Sequence, residues 1–475
     1  MHPSAAAPAW HAPAASAVPA AQAGRPTPPW LALGWLAAAA LVAVLMLVAS
    51  PQATTARGPV WLALVLMPAF ALWWVQRAGR SGPAGAGALA LLAAAIVLVS
   101  DASLRDAPGA GPDLQSIAKF GLWVLGLLLW LWRREELCRA FGHAPTAALA
   151  AFGLWCLLSS AWSVTPAYTA GAALAWLGLW TVAVALAQAV TPRQGALALA
   201  GALALAMLVS LLLYVLAPAQ ALTPMDNGRV LRLSGLFASP NNLGRAAALL
   251  LLLAALAAPG LRRGPALAVL LGAGVLGGAC LELSDNRGSM AALALAGAVG
   301  LLARRPWALL ALVLAAVCGA LTLAVAPGLA EALGAGLARS GRLEEVTTLT
   351  GRTEIWAATW RLIEQAPWLG HGFATSRELL PAAWDDGHGW TTTSAHNLWL
   401  QAGLGTGAVG LALVLWAQAA WLKHALQSAL PLREAVVAFV LLVGLTEAGA
   451  LGPSVNLMSL VWMWAMALGL RARHG

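Results

Sequence analysis

An all-α protein that crosses a membrane many times is what this sequence predicts, and three observations carry the prediction. Of 475 residues, 61% are hydrophobic and only 9% are charged. Apolar runs that reach the ~20 residues needed for a membrane-crossing helix recur along the chain. Between them the basic residues come singly or in pairs on alternate loops. The composition excludes a soluble domain. The net charge of +9 is too dispersed for a nucleic-acid surface and has the spread that the positive-inside rule produces.

Residues 1–29 are rich in Ala and Pro and lack helical periodicity, which reads as a disordered cytoplasmic tail. The apolar run from Trp30 to Ala49 is too long for the core of a cleaved signal peptide. Spans fall near 30–49, 59–76, 84–100, 116–132, 146–162, 168–190 and 196–217, within a bundle that extends over 30–326. Further spans fall near 240–258, 265–282, 288–303 and 307–326, then near 396–422, 434–450 and 454–470 in the carboxy-terminal part, 396–475. Two short segments also fit re-entrant hairpins, so the expectation is about 12–14 transmembrane helices. Residues 327–395 form one large loop with short helices of its own.

With the amino terminus inside, the inner loops carry Arg77 and Arg80, Arg133, Arg134 and Arg139, Arg193, Arg262 and Arg263, Arg304 and Arg305, Lys423 and Arg433. The same alternation puts Arg229 and Arg232, Arg287 and the whole 327–395 loop outside. These outer cations break the rule that sorts the others, and local violations of that kind tend to mark function. Cys138, Cys156, Cys280 and Cys318 lie in an inner loop or within spans, without metal-ligand spacing, so neither a disulfide nor a zinc site is expected.

Three helices are expected to start at the outer face. Ser239-Pro240 supplies a cap and a first-position proline, Asp285-Asn286 caps a helix with Arg287 in its first turn, and Ser394 caps one with His396 in its first turn. Helix N-termini carry positive partial charge, so an Arg in a first turn is electrostatically wrong unless an anion binds there. Arg352 repeats the pattern: Thr350-Gly351 opens a helix that runs through Trp356, Trp360 and Ile363 on one face and stops before Pro367. That helix is expected to lie on the membrane surface. Taken singly, each Arg is also explained by headgroup anchoring, Arg229 and Arg232 more readily than Arg287 and Arg352; gathered on one face, they suggest a phosphate site.

His396 is the candidate general base, because a first-turn position disfavours the charged imidazole. The competing reading is an amphipathic filler at the interface. His371 reads as part of a Gly-rich turn, His388 as part of a flexible segment, and Lys119 as a snorkelling cation that can also touch phosphate. No Walker loop, dinucleotide fingerprint or metal-binding carboxylate set stands out, and Asp385-Asp386 reads as a solvated pair.

Ser163-Val164-Thr165-Pro166, Arg232-Leu233-Ser234-Gly235 with Ser239-Pro240-Asn241, and Asn286-Arg287-Gly288 come in this order, followed by Gly351-Arg352 through Trp356, Pro367-Trp368-Leu369-Gly370, and Ala395-His396-Asn397 leading to Gly407. Over roughly 159–410 this series resembles the O-antigen ligase and polymerase superfamily of bacterial envelope enzymes; the amino-terminal third matches only as generic membrane helices. The resemblance implies a GT-C-like inverting glycosyltransferase of the inner membrane with its site at the periplasmic face. It implies an undecaprenyl-diphosphate-linked glycan donor and a lipid A-core acceptor, with no metal and no other cofactor. Arg287, Arg352 and Arg232 would hold the diphosphate and His396 would serve the acceptor. Leu404-Gly405-Thr406-Gly407 departs from relatives that carry an acidic residue after the HN motif, so polymerase and protein O-oligosaccharyltransferase stay open as alternatives. A transporter or flippase with a cationic outer vestibule is the non-enzyme alternative; clustering of the ionisable residues at one face, away from mid-membrane, argues against it.

Overall fold

The computed structural model describes residues 73–101, 114–225, 230–305, 307, 308, 311, 314, 351–387 and 391–473. The chain is an all-α polytopic membrane protein. Its long helices are α1 (Pro83–Ser100), α2 (Leu114–Leu125), α3 (Trp130–Ala140), α4 (Ala144–Leu158), α5 (Pro166–Ala189) and α6 (Pro192–Leu216). After a helical turn at Pro218–Ala221 come β1 (Leu222–Met225) and β2 (Val230–Leu233), then α7 (Pro240–Ala257), α8 (Arg263–Leu283) and α9 (Arg287–Leu302). The last group is α10 (Arg352–Gln365), α11 (Ser376–Ala383), α12 (Leu398–Gln427), α13 (Pro431–Gly444) and α14 (Leu457–Ala467).

Among the described residues seven helical segments are long and apolar enough to cross a membrane: α1, Ala144–Ala161, α5, α6, Pro240–Gly260, α8 and α12. They coincide with expected spans. The spans at 30–49 and nearly all of 59–76 and 307–326 lie outside the described residues, as do the 1–29 tail and 327–350. Proline at the first position starts α1, α5, α6, α7 and α13, where its missing N–H leaves no hydrogen bond unmade. α5 is apolar on every face and is the most enclosed of these spans, with Trp176 buried edge-on against Trp462 of α14 and Trp180 stacked with Trp130.

Two expectations need correction. The span near 116–132 is broken by a 3-10 segment at Gly126–Leu129, and the span near 434–450 ends at Gly444, leaving Thr446 and Glu447 in a turn. In addition, the loop before α7 contains an antiparallel ribbon that pairs Leu222 with Leu233 and Thr223 with Arg232.

α12 is the scaffold for the polar end of the bundle. It is interrupted at Gly407, which adopts φ 64° and ψ −166°. A broken helix inside an apolar bundle must satisfy its freed backbone groups elsewhere. Residues 367–372 do this. His371 N–H donates to Leu404 O (3.0 Å) and Gly372 N–H to Gly405 O (2.9 Å), while Ala408 N–H donates to Pro367 O (2.8 Å). Trp155 Nε1 reaches the Thr406 carbonyl at 3.0 Å. The inserted loop leaves no room for a side chain: a Cβ on Gly407 would sit 2.3 Å from Trp368 O.

That insertion docks α10 along α12. The expected helix from Gly351 to before Pro367 is present, but its buried face is Ile355, Ala358, Thr359 and Leu362, while Trp360 is exposed. Leu362 packs with Leu380, Ala395 and Leu404, so α10 rests on protein through this face.

Candidate functional site

Four side chains cap helices at one end of the bundle. Ser239 accepts from Asn242 N–H (3.3 Å) and Asn286 from Ser289 N–H (3.1 Å), so Arg287 is the first residue of α9 as expected. Asn456 caps α14, accepting from Met458 and Ser459 N–H. The cap of α12 is Asn397, not Ser394: its Oδ1 accepts from Trp399 N–H at 3.1 Å and Leu400 N–H at 3.0 Å. His396 therefore precedes the helix and has left-handed backbone, φ 48°. It does not stand in the first turn of α12. A carboxylate faces the ring.

That carboxylate is Glu447, in the turn after α13. Its Oε1 accepts from Arg352 Nη2 (2.7 Å) and Asn241 Nδ2 (3.0 Å). Its Oε2 lies 3.0 Å from His396 Nδ1 and 3.8 Å from Arg245 Nη1. Arg245 also donates to Asn242 Oδ1. Side-chain exposure is 12% for Glu447, 11% for Arg245 and 21% for both Arg352 and His396, so water screens the cluster only in part. Burial alone would raise the Glu447 carboxyl. The His396 hydrogen bond and the charges of His396, Arg245 and Arg352 outweigh it and hold the pKa at about 2, below the ordinary 4.5. The ionised carboxylate only accepts, so the ring nitrogen that faces it carries the proton.

The remaining expected residues take different places. Arg232 is buried; its Nε donates to Ser284 O (2.7 Å), and its Nη2 donates to Asp285 O and Asn241 Oδ1 (both 3.1 Å). It ties the ribbon to the carbonyl end of α8, where a cation is favoured, and fixes the Asn241 that touches Glu447. Arg287 is nearly half exposed with Nε 3.3 Å from Asp285 Oδ1. A Cβ on the adjacent Gly288 would lie 3.9 Å from Thr446 Oγ1, which puts the start of α9 beside the Glu447 turn. His371 Nε2 bonds Leu362 O at 2.8 Å within its Gly turn, and His388 is outside the described residues.

Sequence reasoning missed Glu447, Arg245 and Asp101. Both Glu447 and Arg245 fall inside the spans drawn at 434–450 and 240–258, and an ionisable residue within a span is itself a signal of function. Asp101, after α1, accepts from Leu457 N–H (2.9 Å) at the start of α14. Burial raises its carboxyl, against the pull of that hydrogen bond and of the Arg245 and Lys119 charges. Among the described residues no three His, Cys, Asp or Glu side chains are grouped to hold a metal ion.

Chemically, the arrangement offers two permanent cations on one carboxylate, a third exposed guanidinium at a helix start, and a histidine oriented by that carboxylate. Guanidinium groups beside a helix start are chemistry that suits an anion, and a neutral imidazole nitrogen is chemistry that can take a proton.

Residues 272–415 match the O-antigen ligase family. Arg287, Arg352, His396 and the Gly407 break lie within the matched segment; Arg232, Asn241, Arg245 and Glu447 lie outside it. No match was found among curated proteins. That match, on a multi-pass bundle, supports in broad terms a membrane glycosyltransferase-like enzyme of O-antigen ligase or polymerase type. A glycan-linked lipid donor and a lipid acceptor go with that family in general.

Proposed function

We propose that the protein is an O-antigen ligase of the bacterial inner membrane, moving a glycan from undecaprenyl diphosphate to lipid A-core at the periplasmic face by an inverting, GT-C-like single displacement. The observation that carries this reading is Glu447 joined to both Arg352 and His396, which puts an anion-binding guanidinium and a base on one support. Arg352 and Arg287, aided by the α9 N-terminus, bind the donor diphosphate. Arg232 acts through Asn241 as a strut rather than through direct contact. His396, its Nδ1–H held by Glu447, takes the proton of the acceptor hydroxyl at Nε2. The acceptor oxygen attacks sugar C1 as the bond to the diphosphate oxygen breaks. The departing electron pair stays on that oxygen, where the guanidinium groups stabilise the charge. The activated bond is already present in the donor, so this scheme calls on no nucleotide.

The test is the glycolipid that accumulates when the gene is deleted. Free lipid A-core together with unligated polymeric glycan supports ligation. Lipid A-core bearing single repeat units assigns the same site to polymerisation instead. Unchanged glycolipids would overturn the reading.

A further inference from the structure

The second nitrogen of His396 faces a hydroxyl whose hydrogen bonds constrain it closely. Thr392 is buried, with Oγ1 3.2 Å from His396 Nε2. The same hydroxyl donates to Ser394 O at 3.0 Å and accepts from Ser394 N–H at 3.2 Å. The loop around it is held in place. Ala395 N–H donates to Gln401 Oε1 (2.9 Å), Gln401 Nε2 to Ser376 Oγ (2.7 Å), and Trp356 Nε1 to His396 O (3.4 Å).

A hydroxyl has one hydrogen and two lone pairs. One lone pair takes the Ser394 N–H, leaving the hydrogen and one lone pair for Ser394 O and Nε2. Ser394 O can only accept. With the hydrogen on Ser394 O, the free lone pair faces Nε2 and suits a protonated nitrogen. With the hydrogen turned to Nε2, it suits an unprotonated one. Because Glu447 fixes the proton on Nδ1, these two settings correspond to the charged ring and the neutral base.

We infer that Thr392 is a positioning residue whose hydroxyl holds the His396 ring in both protonation states while the acceptor is absent, and turns to Ser394 O to yield the single Nε2 lone pair when the acceptor's O–H arrives. The inference rests on His396 serving as the base. In that step the acceptor O–H proton moves to Nε2, the acceptor oxygen bonds to sugar C1, and the C1–O bond to diphosphate breaks with its pair left on the phosphate side. Thr392 exchanges no proton; its own hydrogen changes only its acceptor. Among the described residues the charged groups gathered at the ring are Glu447 and, on that carboxylate, Arg245 and Arg352.

Two variants of the full-length protein in lipid nanodiscs test this, with transfer rates and the 15N-histidine spectrum followed against pH and His396→Ala used to assign the ring signals. Thr392→Val keeps the shape and removes the hydroxyl. It is expected to shift the Nε2 protonation step and the acid limb of kcat to lower pH. It should also lower kcat roughly tenfold, the effect of one lost hydrogen bond, while the donor KM holds. Thr392→Ser restores all three. A wild-type Nε2 titration in Thr392→Val, or failure of Ser to restore it, overturns the inference. Wild-type transfer by His396→Ala would instead remove the base assignment, and the 15N titration of Thr392→Val would still decide whether the hydroxyl governs the ring.

Discussion

Replacing Glu447 by Gln tests how the cluster is held. The substitution keeps the volume of the side chain and removes its charge, leaving Arg352, Arg245 and His396 facing a neutral amide. The displacement of the Glu447 pKa from 4.5 to about 2 corresponds to about 3 kcal/mol favouring the ionised form in the folded protein. That agrees with the ~3–5 kcal/mol typical when one partner of a buried ion pair is removed. If the loss falls on the orientation of His396 and Arg352, about 3 kcal/mol is a hundredfold or more in rate. The sign on donor binding is opposite, because Glu447 competes with the diphosphate for Arg352. Steady-state transfer by purified Glu447→Gln should therefore show kcat down at least ~100-fold with donor KM unchanged or lower. Because the folded-state pKa is depressed, the stabilisation is complete above pH ~4.5 and fades as pH falls toward 2. Between pH 5 and 8 the wild-type profile should owe nothing to Glu447. A Glu447→Gln enzyme with wild-type kcat, or with only a raised donor KM, would refute this reasoning.

Three further outcomes are expected. Gly407→Ala combines φ 64° with a Cβ 2.3 Å from Trp368 O, so the protein should lose its cooperative thermal transition or yield little folded material; a Tm within 2 °C of wild type, on the order of 1 kcal/mol or less, would contradict the inserted-loop packing. Arg352→Lys and Arg287→Lys should each cut transfer by ~10- to 100-fold, since an ammonium cannot reproduce a two-pronged contact with phosphate; near-normal rates for both would reduce these residues to a general electrostatic patch. Cysteines placed beside Arg287, Arg352 and His396 should react with an impermeant reagent from the periplasm, and those beside Arg134, Arg263 and Arg305 should not; the reverse pattern would overturn the orientation.

Much of the fold was legible because a single chemical pattern encodes it. Apolar runs give α1, α5, α6, α7 and α8, and the pairs Ser239-Pro240 and Asn286-Arg287 mark where two helices start. The start of α12 was placed too early because Ser394 is itself a good capping residue type. Asn397 wins by satisfying two N–H groups, which leaves His396 outside the helix. Glu447 was hidden by an apolar run drawn six residues past the true helix end at Gly444. Arg245 was hidden because a cation in the second turn of a span resembles an anchor. The Gly407 break is invisible among Gly403, Gly405 and Gly410, since its cause is a loop more than thirty residues earlier in the chain. The ribbon escaped notice because four-residue strands carry too little alternation to stand out. Residues that share Glu447 come from α7, α10, the loop before α12 and the turn after α13, and only the folded chain brings them together.

The most direct measurement compares donor binding with glycan transfer in the His396→Ala variant, using undecaprenyl-diphosphate-linked glycan and lipid A-core in nanodiscs. His396 lies before the α12 cap, so its removal should leave the Asn397 and Asn286 helix starts and the Arg352–Glu447 pair in place. Donor affinity is expected within about threefold of wild type while transfer falls at least ~100-fold. Transfer at the wild-type rate, or loss of donor binding to the same extent as transfer, would contradict a base acting beside an intact anion site.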